Sequence, residues 1–226
     1  MDPLIVALDF SSAAQARDLV ETLGDHASFY KVGLELYTAA GKEFMRELLD
    51  GGKEVFLDLK FYDIAETVRR ATAQAAQSGA AFLTVHGSPA VMRAAMDGRA
   101  GSALKLLAVT VLTSFDDHDL QEYGYSRGVR ELVPFLVRKA MECGVDGVVA
   151  SPLEAVGIRL QAGRDFLLVT PGVRSRGASM ADQKRVATPA EALRDGASHL
   201  VVGRQVTRAA DPVAAIEAIR SEIGSA

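Results

Sequence analysis

The chain has 226 residues, of which 49% are apolar and 24% charged, with a formal net charge of −4. This is a globular profile with material for a sizeable core, and it leaves no broad basic field for nucleic acid. A single cysteine, Cys143, excludes an intrachain disulfide and a cysteine-cluster metal site; at the end of an amphipathic pattern it reads as a packed thiol.

Short apolar runs alternate with helical patterns throughout. The first run, LIVALDF (4–10), starts with no basic leader or cleavage pattern ahead of it, and no apolar run reaches the ~20 residues of a membrane span. A cytoplasmic protein with no membrane partner is expected. A helix over 13–24 follows, with Ser11 or Ser12 as N-cap. The next strand candidates are 28–36 and 54–60, then a helix over 66–79 stopped by Gly79. Strand candidates at 81–87 and 104–114 precede a helix over 129–144, stopped by Gly144. The last strand candidates are 146–152, 166–173 and 199–207, and a final helix covers 211–223 with Pro212 in its first turn. Eight strands alternating with about eight helices predict right-handed crossovers and one parallel sheet, the count of a closed (β/α)8 TIM barrel. An open doubly wound sheet is the alternative, but its usual glycine-rich first turn is missing from LDFSSAAQ. No linker or composition break interrupts the chain, so residues 1–226 are expected to form one catalytic domain.

In such a barrel the active site lies at the C-terminal ends of the strands. The segment VFLDLKFYDI (55–64) carries Asp58, Lys60 and Asp63 just past a buried run. Residues two apart on a strand share a face, so Asp58 and Lys60 follow Phe56 toward the interior, and Lys31 follows Phe29. Asp9 closes strand one on the face of Ile5 and Ala7. Buried charges must be paired, and an alternating chain Asp9, Lys31, Asp58, Lys60, Asp63 satisfies that need. Arg174 after strand seven and Arg204 after strand eight, beside Gly172 and Gly203, suit a phosphate, which this fold often binds there. Residues 174–187 form a long polar loop of the kind that closes over ligands, with Gln183 able to reach one. Thr113 and Ser114 end strand five. Capping accounts for Asp116, Asp117, His118 and Asp119. His86 reads as a hydrogen-bonded structural histidine, and His26 and His199 read as exposed turn residues.

With those residues in place, the chain resembles the orotidine 5′-phosphate decarboxylase family from end to end. The matching segments are VALDF (6–10), KVGLEL (31–36), FLDLKFYDIAETV (56–68), VHG (85–87), LTS (112–114), TPGVR (170–174), DQKRVATPAEAL (182–193) and VVGRQVT (201–207). The resemblance implies decarboxylation of a nucleotide, orotidine 5′-phosphate, without metal or organic cofactor, in a homodimer with shared active sites. It implies that Lys60 protonates C6, that Asp58 faces the departing carboxylate, and that Asp63 and Thr67 enter the neighbouring subunit's site. Asp9 and Lys31 would hold ribose hydroxyls and Lys60. Ser114 would contact the pyrimidine, with Thr113 adjacent. Arg204 with amides near Gly203 would grip the phosphate, assisted by Arg174 and Gln183. Tyr62, Ala65, Glu66 and Ser175 depart from the residues common in the family, and none removes a charge from the Asp–Lys chain. The alternatives are a metal-dependent sugar-phosphate decarboxylase or aldolase of the same superfamily, against which Lys31 argues by repelling a cation, and a noncatalytic phosphate-binding barrel.

Overall fold

A computed structural model describes residues 2–175 and 187–224. In chain order the elements are β1 (Leu4–Ala7), α1 (Ala13–Leu23), β2 (Phe29–Gly33), α2 (Leu34–Asp50), β3 (Glu54–Phe61), α3 (Ala65–Gln77), β4 (Phe82–His86), α4 (Pro89–Arg99) and β5 (Lys105–Val109). They continue with α5 (Asp117–Glu122), α6 (Val129–Cys143), β6 (Gly147–Val149), α7 (Ala155–Ala162), β7 (Leu167–Thr170), α8 (Pro189–Arg194), β8 (His199–Val202), α9 (Arg204–Thr207) and α10 (Pro212–Gly224). The eight strands close into a parallel barrel in sequence order, and β8 returns to pair with β1. The expected (β/α)8 architecture is therefore the observed one. Among the described residues, no helix is long and apolar enough to cross a membrane.

Two apolar layers hold the barrel. Alternate strand residues Ile5, Ala7, Phe29, Phe56, Phe82, Leu107, Val169 and Val201 fill its interior. The intervening ones, such as Leu4, Val6, Tyr30, Val55 and Leu83, pack outward against the helices. Local chemistry agrees with this plan. Ser12 caps α1 by accepting from the Gln15 amide at 3.4 Å, and Asp116 and Asp119 cap α5 reciprocally, as expected of that acidic run. Cys143 is half-buried against the outer core, in keeping with a packed thiol.

The strands are shorter than their sequence patterns. Residues 34–36, read as strand, start α2, because Gly33 caps a helix there. β5 stops at Val109, so Thr113 and Ser114 lie in the turn beyond it rather than at its end. Its neighbour β6 has only three residues, and after Thr110 bonds the Val149 carbonyl no ladder remains to pair with. β1 ends at Ala7, β6 at Val149 and β7 at Thr170, while Arg204 begins the short α9 instead of extending β8. His199 also departs from expectation. It is 6% exposed, edge-on to Phe29 and Phe82 in the barrel floor, because its alternation points inward at the start of β8. His26 is about half exposed, as expected, and meets Glu217 at 2.9 Å.

Candidate active site

The barrel mouth gathers most of the residues singled out above. Two steps past Phe29 on β2, Lys31 turns inward and is almost wholly buried. Its Nζ lies 3.0 Å from Asp9 Oδ1 and 3.6 Å from Asp58 Oδ2. Asp58, two steps past Phe56, accepts from Lys60 Nζ at 2.8 Å through its other oxygen. The predicted line Asp9–Lys31–Asp58–Lys60 thus forms as a continuous chain of ion pairs. Gly33 stands in register with Asp58, and the space beside it serves that chain. A Cβ at 33 would stand 3.0 Å from Lys31 Nζ and 3.5 Å from Asp9 Oδ1.

The charges tune one another. Burial alone would depress the Lys31 ammonium, but Asp58 and Asp9 outweigh it and hold the group above its ordinary range. Burial likewise pushes Asp58 up, and Lys31, Lys60 and the Thr84 hydroxyl overcome it, holding the carboxyl below the usual carboxylate range. At pH 7 both groups are charged.

Lys60 sits in a backbone conformation that lysine rarely adopts, with φ +47°. Left-handed geometry costs a non-glycine residue roughly 1–2 kcal/mol. The β3–β4 register slips at the same place, between Leu57 and Phe61. The Lys60 amide donates not to a ladder carbonyl but to Thr84 Oγ1 at 3.0 Å, and the Thr84 hydroxyl donates to Asp58 Oδ1 at 2.9 Å. Sequence reasoning missed Thr84. Its inward parity after Phe82 was the available signal, but a threonine in an apolar strand reads as an ordinary strand former.

Across the mouth, a cavity of about 590 Å³ is lined by Asp9, Lys31, Arg174, Gly203 and Arg204, among others. The two arginines therefore share one chamber with the Asp9–Lys31 end of the charge chain. Burial, and then the Arg204 charge, lower the Arg174 pKa from its ordinary value. Arg174 Nη1 donates to the Val173 carbonyl at 2.7 Å. Gly172 precedes this stretch at φ +76°, where a side chain would be strained. Gln205, also missed from sequence, ties the wall together: its amide accepts from Ser175 N at 3.1 Å and donates to Ser175 Oγ at 2.7 Å. Gln183 lies outside the described residues, as does most of the polar loop it was read in.

Other expected members stand apart. Asp63 is exposed, accepts from the Ile64 amide at 2.6 Å, and among the described residues joins no ion pair, so it does not extend the charge chain within one subunit. Thr67 is exposed on α3 and lines a separate cavity of about 400 Å³ with Asp63, Lys60 and Leu34. Thr113 and Ser114 do not line the arginine cavity. Their neighbours Leu112 and Phe115 instead wall a third cavity of about 210 Å³ that reaches Lys60 and His86. Contrary to expectation, His86 is not held by a hydrogen bond at its buried Nδ1 among the described residues. Its ring stacks on Tyr62, with centroids 4.2 Å apart.

A closed (β/α)8 barrel with an ordered lysine–carboxylate chain and two arginines at its C-terminal mouth is an enzyme-class scaffold, and the charge of those arginines suits an anion. Comparison with known proteins names the class more narrowly. Residues 2–219 match the model of the orotidine 5′-phosphate decarboxylase / HUMPS family. The chain is 53% identical over 225 residues, all of this chain and 94% of the relative, to the orotidine 5′-phosphate decarboxylase of Nitrobacter winogradskyi. It is 55% identical over 212 residues, 93% of each chain, to that of Caulobacter sp. (strain K31). The crystal structure of orotidine 5′-phosphate decarboxylase from Lactobacillus acidophilus superposes with TM-score 0.87 at 40% identity, covering 99% of each chain. The chain belongs to the orotidine 5′-phosphate decarboxylase / HUMPS family.

Proposed function

We propose that this protein decarboxylates orotidine 5′-phosphate to uridine 5′-phosphate and carbon dioxide, a step of pyrimidine nucleotide synthesis. The observation that carries the reading is the Lys60 amine held 2.8 Å from Asp58, with Lys31 behind that carboxylate and two arginines sharing Lys31's cavity. Loss of carbon dioxide leaves an electron pair in an sp² orbital at C6, with no π system to receive it. The Lys60 ammonium stabilises that charge as it develops and then delivers a proton to C6. Asp58, facing the substrate carboxylate, repels it, and this repulsion disappears as neutral carbon dioxide forms. Lys31 keeps Asp58 ionised and Asp9 offers its carboxylate to a ribose hydroxyl. Arg204 and the amides near Gly203 grip the phosphate with Arg174 and Gln183, and binding there supports chemistry at C6. Ser114 contacts the pyrimidine in this reading, with Thr113 adjacent. The reaction requires no metal or organic cofactor.

The working form in this reading is a cytoplasmic homodimer of single-domain barrels, in which Asp63 and Thr67 serve the partner's site. Leu34, Tyr62 and Ile64, at 58%, 68% and 72% exposure, form an apolar margin around Asp63 that association would cover. Incubation with orotidine 5′-phosphate and a chelator, followed by absorbance, tests the activity. Turnover is expected to persist with chelator and to vanish in Lys60→Ala; turnover that needs a divalent metal and a sugar phosphate would overturn the reading. Mixing Lys60→Ala with Asp63→Ala protein is expected to restore some activity, and failure to do so despite proven subunit exchange would reject the shared site.

A further inference from the structure

We infer that Thr84 is a positioning residue for this reaction, its one hydroxyl setting the backbone of Lys60 and the carboxylate of Asp58 together. The inference rests on the reading of Lys60 as proton donor. Thr84 is fully buried on β4, two residues past the interior Phe82. The hydrogen-bond directions are forced. An ionised carboxylate only accepts and a backbone amide only donates, so Thr84 must give its proton to Asp58 Oδ1 and receive that of Lys60 N. Four steps along β3, from Leu57 to Phe61, span two along β4, from Leu83 to Val85. Residue 60 lies inside that slip, at φ +47°, with its amide bonded to a side chain where a ladder carbonyl would normally serve. Thr84 therefore replaces the missing rung. The same oxygen fixes the carboxylate against which Lys60 Nζ rests at 2.8 Å. One small group thus sets both ends of the lysine: its root through the amide and its tip through Asp58.

Burial of a threonine in this barrel does not by itself demand such bonds. Thr72 and Thr170 are also fully buried, and among the described residues their hydroxyls have no partner. Thr84 stands out by making both bonds to the two residues assigned to the chemistry.

Thr84→Val keeps the shape and removes the hydroxyl, and Thr84→Ser keeps the hydroxyl. For Thr84→Val we expect kcat to fall roughly 10- to 100-fold, the range for losing a hydrogen bond to a charged group. Affinity for uridine 5′-phosphate, gripped mainly at its phosphate, should stay within about two-fold. Loss of a donor to the ionised carboxylate should also move the acid limb of kcat to higher pH, and Thr84→Ser should restore most of both. Independently of turnover, the Asp58 carboxyl followed by 13C NMR should titrate at higher pH in Thr84→Val and not in Thr84→Ser. An unmoved Asp58 titration would overturn the inference. So would kcat, nucleotide affinity and thermal midpoint falling together with an unmoved acid limb, which is the signature of a structural role alone. A wild-type protein that fails to turn over orotidine 5′-phosphate would reject the Lys60 reading, while the NMR titration would still decide the role of Thr84.

Discussion

His199 makes the barrel floor sensitive to acid. Its ring is edge-on to Phe82 at 5.1 Å and Phe29 at 6.0 Å, and burial pushes its pKa from 6.5 down to about 4. The unfolded chain takes up a proton near 6.5 that the folded ring refuses until about 4. Stability from the neutral ring is therefore whole above pH 6.5, declines as pH falls through the window, and is spent below 4. A gap of about 2.5 units at ~1.36 kcal/mol each gives about 3 kcal/mol, a large share of the 5–15 kcal/mol typical of domains. Asp58 does not blur the measurement. Its carboxyl is held below the usual range, so its contribution is present above an unfolded value near 3.9 and is lost only at lower pH. Urea unfolding at pH 7, 6, 5 and 4 would compare wild type with His199→Leu, which cannot titrate there. The wild type is expected to lose about 3 kcal/mol more than the variant between pH 7 and 4. Parallel losses in the two proteins would refute the reasoning.

Three further outcomes follow from the mouth. Lys60→Gly should be about 1 kcal/mol more stable than Lys60→Ala, because only glycine adopts the left-handed backbone without strain; both should lack turnover, and thermal denaturation with the absorbance assay checks this. Gly33→Ala places a methyl 3.0 Å from Lys31 Nζ, so it should displace the ammonium and reduce kcat more than it reduces thermal stability. Arg204→Ala should weaken uridine 5′-phosphate binding roughly 10-fold or more, measured by calorimetry, whereas uridine, which carries no phosphate, should bind both proteins equally.

The barrel was legible because strand parity is strict. Phe29, Lys31 and Gly33, or Phe56 and Asp58, must share a face, and a charged residue in that series needs a partner from a neighbouring strand. The Asp9–Lys31–Asp58 part of the chain follows from that rule, whereas Lys60 meets Asp58 from inside the register slip. Strand ends were not legible, since Leu34 and Leu36 continue an alternating pattern into a helix, and nothing in residues 110–114 reveals that β6 is only three residues long. The backbone of Lys60 and the two bonds of Thr84 depend on a register slip between strands, which no single segment encodes. His199 was misread for a related reason: as the first residue of its run it reads as part of the turn before the strand, whereas its ladder partner Val169 makes it a strand residue facing an aromatic floor.

The composition of the arginine cavity has a consequence for traffic. Lys31, Arg174, Arg204 and Arg208 face Asp9 and Glu35 there, four cations to two carboxylates, in a chain whose overall balance is −4. The local surplus of positive charge favours an anion there, so its capture should be fastest in dilute buffer and slow as ionic strength shortens the reach of that field. The same asymmetry should orient an incoming ligand, with its most negative end drawn toward the arginines first.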